Sequence, residues 1–132
     1  MEPHEEADRL LHSAENDFRA LSGMTDPEVF TDEIFGFHAQ QALEKSLKAW
    51  IALLGSEYPK THDLSFLLST LQRLGEEVEG FQDLIDFNPY AVQFRYEAYD
   101  EVGNPVDRNQ VIQRVKQVLN EVKTQLDRRF SG

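Results

Sequence analysis

A strip of polar side chains recurs in the first half of the chain at a spacing typical of one helix face. His38, Gln41, Lys45 and Lys48 follow one another at intervals of three and four residues. Two ammonium groups beside an amide and an imidazole can hold a phosphate through charge-assisted hydrogen bonds. The same spacing also fits an ordinary solvated face, on which Glu44 and Lys48 form an ion pair between neighbouring turns. The spacing leaves both interpretations open.

Further residues could contact an anion or a base. His62 precedes a predicted helix start, where free N–H groups favour either a bound anion or a capping oxygen from Thr61 or Asp63. Arg95 is the lone cation of a strongly acidic stretch, so it either pairs with a carboxylate or faces a functional anion. Tyr96 could stack on a base, although aromatic residues at helical spacing also form core.

Several kinds of chemistry are excluded by what the sequence lacks. It contains no cysteine, which excludes disulfides, thiolate nucleophiles and zinc–thiolate or iron–sulfur sites. No Glu is followed three residues later by His, as in di-iron bundles, and His4 and His12 lie too far apart on one helix to share a metal ion. There is also no glycine-rich phosphate loop. We therefore predict no metal site.

Five amphipathic segments must position these residues. The apolar spacing predicts a first helix ending at Gly23, a second from Thr25-Asp26-Pro27-Glu28 to Leu54 with a bend or break at Gly36, and a third from Thr61 or Asp63 to Gly75. It also predicts a fourth helix after Gly80 with a kink near Pro89, and a fifth starting at Asn104-Pro105. No strand pattern occurs, so the predicted fold is all-α, an up-and-down antiparallel bundle of four to five helices.

The length and charge of the chain narrow the class of protein. A chain of 132 residues fits a single domain over residues 1–132. The 13 Lys and Arg residues against 24 Asp and Glu give a net charge of −11, which disfavours indiscriminate nucleic-acid binding and confines any anion binding to a local site. The acidic N-terminus lacks signal-peptide features, and no apolar run approaches the roughly 20 residues of a membrane span. We therefore expect a cytoplasmic protein without a membrane partner.

Three motifs together resemble a known family. They are the segments Phe37–Ala49, Thr61–Leu64 and Phe94–Tyr96, and the order of the predicted helices fits as well. In these motifs the chain resembles the HEPN family, a group of nucleotide-binding domains of higher eukaryotes and prokaryotes. The resemblance covers nearly the whole chain and implies a helical bundle that forms a homodimer and has no cofactor. It also implies that the chain works with a small nucleotidyltransferase in a toxin–antitoxin-like pair.

Many HEPN members are ribonucleases that use an Arg followed, after four to six residues, by a His. After Arg95 the corresponding positions hold Asp100, Glu101 and Val102, so the imidazole that would transfer a proton is missing. The resemblance therefore favours a non-catalytic module that binds a nucleotide or an RNA phosphate. The candidate ligand-binding residues are His38, Gln41, Lys45, Lys48, His62, Arg95 and Tyr96.

Two alternatives remain open. The chain could be a metal-independent ribonuclease in which Arg95 stabilises the transition-state charge and Asp100 or His62 transfers protons. It could also be a purely structural dimerisation or protein-docking bundle, in which Lys45 and Arg95 only neutralise neighbouring carboxylates.

Overall fold

The structure is a computed structural model that describes residues 2–91 and 106–130. Within these ranges the chain forms four α-helices and one 3-10 helix, and no strand. The elements are α1 (Pro3–Ser22), α2 (Asp32–Leu53), α3 (Leu64–Arg73), the 3-10 segment (Glu79–Ala91) and α4 (Arg108–Phe130). The predicted all-α class is confirmed.

Helix α2 lies at the centre of the structure and contacts each of the other four elements. Its buried side chains are spread around the helix instead of forming one stripe, which is typical of a core helix. They include Phe35, Ala39, Leu43, Leu47, Trp50 and Ile51. A polar side chain on α2 is therefore enclosed by neighbouring elements and needs a hydrogen-bond partner there.

The contacts between helix ends define the directions of α1, α2 and α4. Tyr58, just after α2, donates a hydrogen bond to Glu6 at the start of α1, so α1 and α2 are antiparallel. The ring of Phe130, the last residue of α4, lies 5.5 Å from the ring of His4 in the first turn of α1. The end of α4 therefore lies beside the start of α1, and these two helices are also antiparallel.

The connection from α2 to α3 turns back along α2. Gly55 has a φ of +81°, a left-handed conformation that favours glycine and lets the chain reverse immediately after the helix. The backbone oxygen of His62 accepts a hydrogen bond from Gln40 at 3.0 Å, so α3 begins beside the middle of α2. Of the two predicted caps, Asp63 is the N-cap of α3, because its carboxylate accepts from the backbone N–H of Ser65 at 2.9 Å.

The predicted start of α2 is wrong by several residues. Asp26 accepts a hydrogen bond from the backbone N–H of Glu28 and its carbonyl accepts from Phe30, but this closes only an isolated turn. Thr31 then takes an extended conformation, and its hydroxyl oxygen accepts from the backbone N–H of Ile34 at 3.3 Å. Two capping signals follow one another, and the second one starts the helix because the chain must first reverse after α1.

The fourth helical element is a 3-10 helix, not the predicted α-helix. Phe81, Leu84, Phe87 and Tyr90 recur every three residues, and three residues make one turn of a 3-10 helix. Leu84 is fully buried, and Phe81 and Phe87 pack against the core. Phe81, Leu84 and Ile85 also follow the i, i+3, i+4 spacing of an α-helix face, which is why the sequence predicts an α-helix there.

Gly36 does not bend or divide α2, which is continuous from Asp32 to Leu53. A Cβ atom at this position would lie 2.2 Å from the ring of Tyr90. The glycine therefore lets the 3-10 segment approach the backbone of α2 closely, a packing role that helix propensity alone does not indicate.

Helix α4 begins at Arg108, not at the predicted Asn104-Pro105, which lies outside the described residues. Asp107 caps it, because its carboxylate accepts from the backbone N–H of Gln110 at 3.1 Å. The buried Arg108 side chain donates to the carbonyls of Met24 and Phe30 and to the carboxylate of Asp32, each at 2.7 Å. This guanidinium joins α4 to the connection between α1 and α2.

We expect Arg108→Ala to lower the free energy of unfolding by about 3 kcal/mol, because it leaves two carbonyls and a carboxylate without their donor. Urea denaturation of the purified protein measures this change. Arg73→Ala is the matched control, since Arg73 is exposed and its hydrogen bond to Thr70 and its contact with the Phe66 ring both lie on its own helix; its effect should stay within about 0.5 kcal/mol. Equal effects of the two substitutions would contradict the assigned role of Arg108.

Candidate functional site

The predicted polar strip on α2 is divided between two carboxylates. His38 and Lys45 face Asp17 of α1, whereas Lys48 bonds Glu44 on its own helix. We call these groups the Asp17 cluster (Asp17, His38, Lys45) and the Glu44 cluster (Gln40, Glu44, Lys48, His62). Gln41 is connected to the Glu44 cluster, because its Nε2 donates to Oε1 of Gln40 at 2.8 Å.

Glu44 is the centre of its cluster. Its side chain is only about 5% exposed, yet its two oxygens accept three hydrogen bonds. Nζ of Lys48 lies 2.8 Å away, Nδ1 of His62 2.9 Å and Nε2 of Gln40 3.1 Å. The predicted ion pair between Glu44 and Lys48 is therefore present, but it is largely enclosed and does not belong to a solvated face.

The hydrogen bonds to Glu44 decide its protonation state. Burial alone would raise the pKa of this carboxyl, because it disfavours the charged form. The hydrogen bonds from Lys48, His62 and Gln40 outweigh burial and hold the pKa of Glu44 below its ordinary value of 4.5. The carboxylate is therefore ionised at neutral pH and accepts from all three donors.

His62 combines a fixed orientation with exposure to solvent. Its side chain is 69% exposed, although its Nδ1 is held by the buried Glu44 carboxylate. Because an ionised carboxylate only accepts hydrogen bonds, Nδ1 carries the hydrogen in this contact. The neutral imidazole then has Nε2 as an acceptor, and the protonated imidazole has it as a second donor. Either form presents one polar atom of defined chemistry outside the Glu44 contact.

The Asp17 cluster joins α1 to α2. One oxygen of Asp17 accepts from Nζ of Lys45 at 2.6 Å, and the other contacts Nδ1 of His38 at 3.0 Å. The Lys45 side chain is 26% exposed and Lys48 only 12%. Both ammonium groups are therefore partly enclosed and neutralised by a carboxylate, which weakens their attraction for an outside anion.

The sequence also indicates that the two carboxylates, Asp17 and Glu44, are buried, which the prediction of a phosphate site on α2 does not take into account. Asp17 lies three residues after Ala14 and four before Leu21, so it falls within the spacing of the buried stripe of α1. Gln40 and Glu44 likewise lie among the buried residues of α2. A carboxylate at a core position requires a cation or several donors nearby.

Three of the predicted site residues, Arg95, Tyr96 and Asp100, lie outside the described residues. Of the described candidates, Lys48 and His62 bond the same carboxylate, and Gln41 is connected to them through Gln40. His38 and Lys45 belong to the Asp17 cluster. Within residues 2–91 and 106–130, no three His, Asp or Glu side chains are arranged to hold a metal ion.

The fold and the site define an all-helical protein with polar clusters on its central helix. In comparison with known families, residues 4–125 match the HEPN domain. The chain belongs to the HEPN family, and the predicted resemblance is confirmed. Searches of curated proteins and of solved structures gave no significant match. None of the helices in the described ranges has both the length and the apolar character needed to cross a membrane.

We expect Glu44→Gln to lower the free energy of unfolding by about 1–3 kcal/mol at pH 7, because the amide leaves Lys48 without its counter-charge. The pKa of Glu44 is depressed in the folded state, so its contribution is complete above the ordinary value of 4.5. It declines as the pH falls below that value and is lost as the pH passes through the folded pKa. Urea denaturation of both proteins between pH 7 and pH 4 measures the difference.

The control for this experiment is Glu121→Gln at an exposed position of α4, which should follow the wild type within about 0.5 kcal/mol at every pH. If the difference in free energy of unfolding between wild type and Glu44→Gln stays constant down to pH 4, the ionised carboxylate is not the stabilising group.

Proposed function

We propose that this HEPN chain binds the phosphate of a nucleotide or an RNA and does not cleave it. The observation that carries the proposal is the exposed His62 imidazole, which the buried Glu44 carboxylate holds through Nδ1. When the ring is protonated, Nε2–H is a charged donor of fixed orientation, and phosphate oxygens are its natural acceptors. Lys48 adds a second cation beside the same carboxylate.

The charges around His62 favour anion binding only when the imidazole ring is protonated. With a neutral ring, the charge of Glu44 cancels that of Lys48 and the cluster offers an anion no net attraction. With a protonated ring, the cluster carries one positive charge within a chain of net charge −11. Phosphate binding at this site should therefore be local and should depend on the protonated form of the ring.

The remaining residues extend the proposal beyond the Glu44 cluster. Gln41, Lys45, His38, Arg95 and Tyr96 are its further candidates, with Arg95 as a second phosphate donor and Tyr96 as a surface for a base. Family membership supports a homodimer and a small nucleotidyltransferase as partner in a toxin–antitoxin-like pair. The exposed acids of α1 and of the 3-10 segment suit a basic surface on such a partner.

The test is calorimetric titration of the protein with ATP, tripolyphosphate and a short single-stranded RNA. We expect a loss of about tenfold or more in affinity in His62→Ala, because a charge-assisted hydrogen bond disappears. His12→Ala, at an exposed position of α1, is the matched control and should bind like the wild type. Absence of binding, or equal binding by both variants, would refute a phosphate site at His62.

A second candidate function rests on the same contact. A neutral imidazole whose Nδ1–H is held by a carboxylate has Nε2 available as a proton acceptor, an arrangement that serves general-base catalysis. In a ribonuclease of this kind His62 or Asp100 would transfer protons and Arg95 would stabilise the transition-state charge. RNA cleavage that disappears in both His62→Ala and Arg95→Ala would favour it, whereas intact RNA after prolonged incubation would contradict it.

The structural alternative makes a different prediction for the same variants. If the bundle serves only dimerisation or docking, Lys45→Ala and Arg95→Ala should change the unfolding temperature but leave every titration without heat of binding.

A further inference from the structure

Three successive backbone N–H groups at the start of α3 are bonded to side-chain oxygens. Oγ1 of Thr61 accepts from the N–H of Asp63 at 3.1 Å, and Oδ1 of Asp63 accepts from that of Ser65 at 2.9 Å. The N–H of Leu64, between them, donates to Oδ1 of Asn88 at 2.8 Å. Of the two interpretations that the sequence leaves open here, a bound anion or a capping oxygen, the structure contains the capping oxygens. These three N–H groups are therefore not available to a phosphate.

Asn88 reaches this helix start from another element. It lies on the 3-10 segment, 24 residues after Leu64, and its Nδ2 also donates to Oδ1 of Asp63 at 2.9 Å. The hydroxyl of Ser65 and the amide of Asn88 hold the pKa of Asp63 below its ordinary value of 3.8, so this carboxylate is ionised at neutral pH. The orientation of the amide follows, because the N–H of Leu64 requires an oxygen and the carboxylate requires a donor.

The two residues that Asn88 bonds directly follow His62, which is bonded to α2. Nε2 of Gln40 donates to the backbone oxygen of His62 at 3.0 Å, and Glu44 accepts from its Nδ1 at 2.9 Å. Residues 62–64 are thus held by α2 at one end and by the 3-10 segment at the other. A segment held at both ends samples fewer conformations than one held at a single end, so the imidazole meets Glu44 in a defined orientation.

The position of Asn88 is itself fixed by α2. Leu84 of the 3-10 segment is fully buried. The ring of Tyr90, two residues after Asn88, lies so close to the backbone of Gly36 that a Cβ atom there would be 2.2 Å away. Gly36 precedes Gln40 by one turn of α2. The central helix, the 3-10 segment and the start of α3 therefore form one closed set of contacts around the loop that carries His62.

We propose that Asn88 is a positioning residue for the phosphate site. Through Asp63 and Leu64 it holds the loop in the conformation in which His62 donates Nδ1–H to Glu44 and presents Nε2 to the ligand. This inference rests on the proposed phosphate binding at His62 and adds its regulation, because a movement of the 3-10 segment then changes the orientation of the imidazole. The part of the inference that concerns orientation can be measured without any ligand.

The tautomer of His62 reports its orientation. The hydrogen bonds of the two ring nitrogens set the tautomer of a neutral imidazole, so the Nδ1–H form should predominate while Glu44 accepts from it. Nitrogen–proton NMR spectra of the imidazole at alkaline pH distinguish the two tautomers, and the signals that disappear in His62→Ala belong to this residue. In Asn88→Ala we expect the ratio of Nδ1–H to Nε2–H to fall roughly fivefold or more.

Two controls separate positioning from a general loss of stability. Arg108→Ala destabilises the bundle at the starts of α2 and α4 and should leave the tautomer ratio as in the wild type. Asn88→Asp keeps the shape of the side chain and the acceptor for Leu64, but it places a second carboxylate beside Asp63, so it should lower the ratio as Asn88→Ala does. Asn120→Asp makes the same charge change at an exposed position of α4 and should leave the ratio unchanged.

The consequence for binding is measured by calorimetric titration with tripolyphosphate. We expect Asn88→Ala to bind about two- to tenfold more weakly than the wild type, because the freed imidazole must be ordered when the ligand binds. Arg108→Ala, titrated at a temperature at which it is folded, should bind like the wild type.

The outcomes distinguish this inference from the proposed function. If Asn88→Ala leaves the tautomer ratio or the affinity unchanged, or if Arg108→Ala lowers the ratio equally, Asn88 does not position His62, whereas wild-type binding still supports the phosphate site. If the wild type binds no tripolyphosphate, the phosphate site is wrong, and the tautomer ratio alone decides whether Asn88 orients His62.

Discussion

The Glu44 carboxylate is the group on which the arrangement of the central helix and the following loop depends. A buried charge is costly unless it is paired and hydrogen-bonded, and this one accepts from Gln40, Lys48 and His62. Two of the donors lie on α2 itself, but the third reaches it only if the loop turns back along the helix. The requirement to satisfy one carboxylate therefore places the start of α3 beside the middle of α2.

The contact that stabilises Glu44 also prepares His62 for binding. An exposed histidine on a loop would ordinarily sample several orientations and lose that freedom when it binds a ligand. Here the buried carboxylate fixes Nδ1, so the chemistry at Nε2 is decided by protonation alone. Lys48 donates to the same carboxylate, so the stability of the central helix and the proposed phosphate site depend on one hydrogen-bond network.

The predicted elements are wrong where a local sequence signal fits two kinds of structure. Local signals located the end of α1 at Gly23 and the reversal at Gly55, because capping and glycine conformation depend only on neighbouring residues. The predicted start of α2 is too early, since an oxygen followed by proline marks a turn as readily as a helix, and Asp26-Pro27 forms a turn here. The 3-10 segment is predicted as an α-helix because Phe81, Leu84 and Ile85 have the i, i+3, i+4 spacing of an α-helix face.

The sequence by itself determined the all-helical class, the apolar stripes, the HEPN family and the residue types of the polar strip, because these follow from local spacing and from motifs. Only the tertiary structure decided which partners the strip has. Asp17 reaches Lys45 and His38 from another helix, and His62 reaches Glu44 from a loop. Such contacts join residues distant in the chain, so helical periodicity, which relates only residues three or four apart, carries no information about them.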